Sequence, residues 1–126
     1  MNRYFTEVLD AHVAIENWLA HGEGDFAALL ARFDANFTLI GLNGNRLNIA
    51  ALGDFFQAHQ AAKAGLKIAI EDMTLLAEWP TGAVVNYRER QTLPGQTASL
   101  RYSTAVFRYA DGQLYWRHLH ETALAG

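Results

Sequence analysis

The chain has 126 residues, 51% of them hydrophobic and 18% charged, with a formal net charge of −3 and no cysteine. This size and composition suit one globular domain over residues 1–126. The negative charge disfavours a nucleic-acid partner, and the lack of cysteine excludes disulfides, thiolate nucleophiles and cysteine-ligated metals. Acids stand at Glu7 and Asp10, where a secretory signal would be apolar, and no window reaches the ~20 apolar residues of a membrane span. We therefore expect a cytoplasmic protein with no membrane partner.

The first half of the chain predicts three helices and one short strand. Apolar residues recur at helical spacing over residues 2–20, and His12 interrupts their stripe. Asp25 is placed to cap a second helix over 26–33, and Asn48 to cap a third that stops at Gly65. Between them, residues 36–42 predict a strand that runs into an Asn43-Gly44 turn.

The second half predicts four antiparallel strands over residues 66–79, 83–93, 97–109 and 113–123. Three turn signals separate them: Pro80-Thr81-Gly82, Pro94-Gly95 and Asp111-Gly112. In the first of these strands the apolar parity changes after Ile70, which predicts a bulge near Glu71-Asp72. Helices followed by an antiparallel meander indicate an α+β fold with helices on one face of the sheet.

The run from Leu114 to Thr122 is the densest in chemistry. As a strand it places Trp116, His118 and His120 on one face, and Arg117, Leu119 and Glu121 on the other. Neither face is plainly polar, so we expect one to pack on the helices and the other to meet a cavity or a partner.

Several passages along nearly all of the chain resemble the nuclear transport factor 2-like superfamily, and in particular its SnoaL-like branch. The more specific ones are a Thr104-x-x-Phe107 strand, the Asp111-Gly112 turn and the Trp116-x-His118-x-His120 ending. The resemblance implies one domain of this type: a cone-shaped half-barrel in which three N-terminal helices pack on a curved, mostly antiparallel sheet. It also implies a cavity between helices and concave sheet, and a homodimer formed through the sheet.

The ketosteroid isomerases of this superfamily use a carboxylate base, a buried acid donor and a donor tyrosine. Here the matching positions are Gly41, Ala105 and Asn17. The resemblance therefore does not extend to that catalytic set, and steroid isomerisation by it is not expected.

The candidate catalytic residues are His118, His120 and Asp72. Alternate residues on a strand face lie about 6–7 Å apart, so both imidazoles could reach one ligand and act as acid or base near neutral pH. Asp72 is a candidate base because bulges re-aim side chains. Two histidines without a third ligand do not make a metal site, so neither a metal nor another cofactor is predicted. The alternative is that the histidines are structural or lie at an interface.

The candidate ligand-binding residues are His12, Tyr87, Glu89, Arg101 and Trp116. His12 sits in an apolar helical stripe, as either a pocket group or a hydrogen-bonded core residue. Glu89 and Arg101 lie on neighbouring predicted strands, where they either pair with each other or leave Arg101 to bind an anionic ligand.

Three functions remain open from the sequence. The first is a homodimer that binds a small organic molecule, an anion among the options, in an apolar pocket. The second is a cyclase, dehydratase or isomerase that transfers protons through histidine. The third is an interaction module in which the histidine strand serves only packing.

Overall fold

A computed structural model describes residues 2–124, and within them three helices accompany a six-stranded sheet. The helices are α1 (Arg3–Glu16), α2 (Phe26–Leu30) and α3 (Ile49–Ala58). The strands are β1 (Phe33–Ile40), β2 (Arg46–Asn48), β3 (Lys67–Trp79), β4 (Gly82–Thr92), β5 (Ser99–Ala110) and β6 (Gln113–Ala123). The sheet is open and mostly antiparallel, so the α+β prediction is confirmed.

Each helix begins at a side-chain cap. The carboxylate of Asp25 accepts from Ala28 N at 3.2 Å, and the amide oxygen of Asn48 accepts from Ala51 N at 2.9 Å, as the sequence predicts. Helix α2 is shorter than predicted, because Phe33 opens β1 and pairs with Trp116. Tertiary pairing thus outweighs local helix propensity there.

Helix α1 runs on into a π-helical turn, Asn17–His21, that ends at Gly22 with φ +67°. The last carbonyls of a helical segment have acceptor capacity to spare for partners outside it. The carbonyl of Trp18 accepts from Ala61 N at 3.0 Å and that of Leu19 from Lys63 N at 2.9 Å. The π-turn therefore anchors the loop that follows α3.

The strand order is β2-β1-β6-β5-β4-β3. Strands β3 to β6 form the predicted meander, and β1 pairs with β6 in parallel. The strand β2 and this parallel pairing were not predicted, because a three-residue strand has no periodicity and the pairing joins distant parts of the chain.

Two strands carry bulges that decide which side chains face inward. In β3 the register shifts between Glu71 and Thr74, and Asp72 has φ +55°, so the predicted bulge is confirmed. In β6 Trp116 pairs with Phe107 and His118 with Val106, which leaves Arg117 as an extra residue. This second bulge was not predicted, and it reverses the parity of the strand's C-terminal half.

The core lies between the helices and the inner face of the sheet. Helix α1 contributes Tyr4 and Val8, which are buried with Val85, Phe107 and Trp116 of the sheet. The Tyr4 and Phe107 rings lie 5.6 Å apart. None of the helices in residues 2–124 is long and apolar enough to cross a membrane.

Candidate functional site

A cavity of about 550 Å³ lies between the helices and the inner face of the sheet. Its walls are mostly apolar and come from every helical segment except α2 and from every strand except β3. The polar lining is made of His12, Asn43, Lys63, Glu89, Gln91, Arg101 and Glu121. Four of the five residues predicted to bind a ligand therefore line the same space: His12, Glu89, Arg101 and Trp116.

His12 and Glu89 form a buried pair that joins α1 to β4. His12 Nδ1 lies 2.7 Å from the carbonyl oxygen of Val8, and Nε2 lies 3.1 Å from Glu89 Oε1. A carbonyl only accepts, so Nδ1 must carry hydrogen and donate to it. Nε2 and Oε1 would then both be acceptors unless a further proton lies between them. The pair therefore holds one proton beyond a neutral imidazole and a carboxylate.

Electrostatics place that proton on the imidazole. Burial alone would lower the pKa of His12, but the hydrogen bond and charge of Glu89 raise it above its ordinary value of 6.5. Burial alone would raise the pKa of Glu89, but hydrogen bonds from His12 and Gln91 lower it. The Gln91 amide donates to Glu89 Oε2 at 2.6 Å. The geometry and both pKa shifts thus favour an imidazolium beside a carboxylate in this site.

A second pair, Arg101 and Glu121, lies beside the first. Arg101 is directly opposite Glu89 in the strand register, but its Nη1 donates to Glu121 Oε2 at 3.2 Å. Of the two alternatives that the sequence leaves open, the Glu89–Arg101 ion pair is therefore not the one formed, because each residue has another partner. Burial raises the pKa of Glu121 and the charge of Glu89 adds to this, while Arg101 opposes it. The two carboxylates consequently have pKa values displaced in opposite directions.

Tyr87 lies in the wall behind His12 and does not line the cavity. Its ring meets the His12 ring edge-on at 5.4 Å, and it is fully buried opposite Ser103. Neither hydroxyl has a hydrogen-bond partner among residues 2–124. Burial raises the pKa of Tyr87 well above its ordinary value, so its hydroxyl stays protonated at physiological pH.

Trp116 lines the cavity, and a hydrogen bond from its indole N–H holds the ring in place. Its indole Nε1 donates to Glu7 Oε2 at 3.0 Å, and Glu7 also accepts two 2.8 Å bonds from Arg32 Nη1. The indole packs 4.6 Å from the Phe107 ring and 6.0 Å from the His12 ring. These contacts make Trp116 a rigid part of the cavity wall.

His118 and His120 lie on the outer face of the sheet, and the prediction that they share a face with Trp116 is wrong. The extra residue Arg117 turns both imidazoles away from the cavity and brings Leu119 and Glu121 inward. His118 Nδ1 lies 2.6 Å from Thr38 Oγ1, and the two imidazole centroids are 6.3 Å apart. Burial lowers the pKa of His118, and the positive charges of His120 and Arg117 add to this. Neither histidine can act on a molecule in the cavity.

Asp72 is likewise outside the cavity. Its side chain is 66% exposed at the β3 bulge, and its Oδ2 lies 3.4 Å from Arg88 Nη2. Its charge is therefore stabilised by solvent and by an arginine outside the cavity. Within residues 2–124 no three histidine, cysteine or acidic side chains are grouped as a metal site requires.

Asn43, Lys63, Gln91 and Glu121 are the polar cavity residues that the sequence does not identify as site residues. Strict alternation through β6 predicts Glu121 on the face opposite Trp116, whereas the bulge at Arg117 brings both to the cavity. The missed signal is the spacing of Trp116 and Leu119: two large apolar residues three apart indicate a change of parity, as in β3.

Comparison with known proteins found no matching protein-family model and no matching curated protein. A solved nuclear transport factor 2-like protein of unknown function from Pseudomonas aeruginosa is 40% identical, with a TM-score of 0.92, over 97% of this chain and 98% of that one.

More distant structures share the fold alone. A CamKII hub homology domain from Chlamydomonas reinhardtii is 17% identical, with a TM-score of 0.75, over 97% of this chain and 99% of its own. A candidate dehydratase of the same family from Streptomyces avermitilis is 14% identical, with a TM-score of 0.73, over 97% of each chain. On the 40% identity and near-complete coverage of the Pseudomonas structure, this chain belongs to the nuclear transport factor 2-like family.

Proposed function

We propose that the protein binds a small organic molecule in the cavity between its helices and its sheet. The supporting observation is the combination of a volume of about 550 Å³, apolar walls and buried polar side chains in one space. Small-molecule sites of roughly 300–1,000 Å³ have this composition: apolar surface supplies affinity and a few polar groups fix orientation.

A matched pair of variants tests this proposal. Leu39 lines the cavity and pairs with Leu119, whereas its neighbour Ile40 pairs with His120 on the outer face. Leu39→Trp should fill the cavity and abolish ligand-induced thermal shifts, and Ile40→Trp should leave them intact. Equal shifts in both variants across a metabolite panel, or none in the unmodified protein, would refute binding in this cavity.

A second candidate function is proton-transfer catalysis, as a cyclase, dehydratase or isomerase. It is favoured by the two carboxylates whose pKa values are displaced in opposite directions beside an imidazolium. Such a divergence separates a general base from a general acid. The residues would be Glu89, Glu121 and His12, since His118, His120 and Asp72 lie outside the cavity.

Enzymatic activity, once found with a substrate panel, should depend on these carboxylates. Glu89→Gln and Glu121→Gln should each lower kcat by roughly 100-fold or more. Glu71→Gln, on the outer face, is the control and should keep full activity. Turnover unchanged in both cavity variants would exclude them from catalysis.

The same proposal makes the protein a cytoplasmic homodimer that associates through the outer face of the sheet. No helix among residues 2–124 covers the exposed Tyr102 there, and Leu76 is 57% exposed on the neighbouring part of the sheet. Exposed apolar side chains on an uncovered sheet face favour association between copies. A chain without cysteine suits a reducing compartment.

A further inference from the structure

The cavity lining contains more basic than acidic side chains. Three are basic (His12, Lys63, Arg101) and two are acidic (Glu89, Glu121). His12 pairs with Glu89 and Arg101 with Glu121, whereas Lys63 has no ion-pair partner within residues 2–124. With both acids ionised and His12 protonated, the lining therefore keeps one positive charge.

Lys63 is placed at the cavity by the main chain. Its backbone N–H donates to the Leu19 carbonyl of the π-turn at 2.9 Å, which fixes the loop after α3. The side chain is half-buried and contributes to the cavity wall. An ammonium group with restricted access to water favours a nearby anion more than an exposed one does.

Arg101 has spare hydrogen-bonding capacity at the same cavity. Its guanidinium is engaged by Glu121 at 3.2 Å and by Ser99 Oγ at 3.4 Å, both longer than the ~2.7–2.9 Å of a strong charge-assisted bond. Its buried Nε has no partner among residues 2–124. A guanidinium offers five N–H donors, so a further anionic acceptor can be accommodated.

A ligand carboxylate would be the third in this space, beside Glu89 and Glu121, and would raise the tendency of Glu121 to accept a proton. The charged groups that face Glu121 are Arg101 on β5, Glu89 on β4 and His12 on α1. An incoming anion adds to the repulsion from Glu89 and shares the charge of Arg101, and two carboxylates in one site favour protonation of one of them. Glu121 is the one that burial already inclines to accept a proton.

We propose that the ligand is an apolar monocarboxylate, whose negative charge is balanced by Arg101 and Lys63 while Glu121 takes up a proton. This rests on the proposed binding function and adds the chemical class of the ligand. Because Glu121 takes up a proton as the anion enters, the net charge of the cavity does not change on binding, and the apolar walls take the rest of the molecule.

Isothermal titration calorimetry with three aromatic probes of one shape tests the class: naphthoate, naphthamide and naphthylmethylamine. Naphthoate should bind at least roughly tenfold more tightly than the neutral amide, and the cation should bind weakest. Naphthoate titrations in buffers of different ionisation enthalpy should show net proton uptake near pH 7, which Glu121→Gln abolishes. If the amide or the amine binds as tightly as naphthoate, the ligand class is refuted while cavity binding survives. If none of the three binds, both proposals fall.

Variants distinguish the effects of Lys63 and Arg101 on naphthoate affinity from an effect of the protein's overall charge. Lys63→Gln and Arg101→Gln should each weaken naphthoate binding roughly tenfold and leave naphthamide unchanged. Arg88→Gln removes a guanidinium that pairs with Glu71 on the outer face and should change neither affinity. Lys63 is only half-buried, so its variant remains informative should Arg101→Gln fail to fold. Naphthoate affinity unchanged in Lys63→Gln overturns the assignment of Lys63.

Discussion

The hydrogen bonds of His12 leave its imidazole one arrangement. Nδ1 must donate to the Val8 carbonyl, so a second proton is required before Nε2 can meet Glu89 at 3.1 Å. The sequence singled out His12 because it interrupts an apolar stripe, but it could not distinguish a core residue from a cavity residue. The partner lies 77 positions away, and local periodicity carries no information about it.

The two histidines with shifted pKa values should titrate on opposite sides of the ordinary imidazole value of about 6.5. The pKa of His12 is raised by Glu89, whereas burial lowers that of His118. Side-chain ¹H–¹⁵N NMR spectra across pH should show His12 still doubly protonated after His118 has lost its proton. The reverse order would contradict the assigned pairing.

The His12–Glu89 pair should also make the free energy of unfolding depend on pH. Because the pKa of His12 is raised in the folded state, its ionisation stabilises the fold fully below about pH 6.5. This stabilisation is lost as pH rises through the folded-state pKa of His12. The lowered pKa of Glu89 means that its contribution is present above about pH 4.5 and is lost as pH falls through its folded-state value.

His12→Gln should therefore cost most near pH 6, by about 3 kcal/mol of unfolding free energy, and less near pH 9. Urea unfolding at several pH values measures this difference. The exposed His120→Gln is the control and should stay within about 0.5 kcal/mol throughout. A cost for His12→Gln that grows with pH would contradict an imidazolium–carboxylate pair.

At the scale of elements, two bulges show where sequence reasoning succeeds and fails. In β3 the apolar parity changes after Ile70, and the bulge falls where that change predicts it. In β6 aromatic and imidazole side chains are compatible with either face of the sheet, so the sequence does not reveal the bulge. Strict alternation then predicts His118 and His120 on the inner face, which is wrong. The helices, turns and meander could be predicted because their signals are local. The position of Glu121 in the cavity could not be predicted, because it depends on one extra residue, Arg117.

The β3 bulge can be tested through its backbone conformation. Asp72 has φ +55°, which aspartate tolerates and a β-branched residue does not. Asp72→Val should lower the unfolding free energy by about 1–3 kcal/mol. Thr74→Val, at an exposed position of the same strand without a positive φ, should change it by less than about 0.5 kcal/mol. Chemical denaturation provides both values, and equal effects would contradict strain at Asp72.

For the molecule as a whole, the sheet has one face covered by helices and one that is not. Tyr102, 41% exposed, lies on the uncovered face opposite Arg88 and Thr122. If two copies associate through this face, Tyr102→Glu should lower the mass measured by light scattering from dimer to monomer. Val13→Glu is the control, because Val13 is 60% exposed on α1. A monomeric unmodified protein would refute association through the sheet.

The π-helical turn after α1 sets the rotational phase between the two ends of the first helical segment. Each residue of a helix advances about 100°, so excising one residue from Asn17–His21 would rotate everything upstream by that angle relative to Trp18 and Leu19. With Trp18 held by its 2.7 Å bond to the Phe56 carbonyl, His12 would swing out of line with Glu89. The single extra residue of this turn thus keeps the imidazole aimed at its carboxylate.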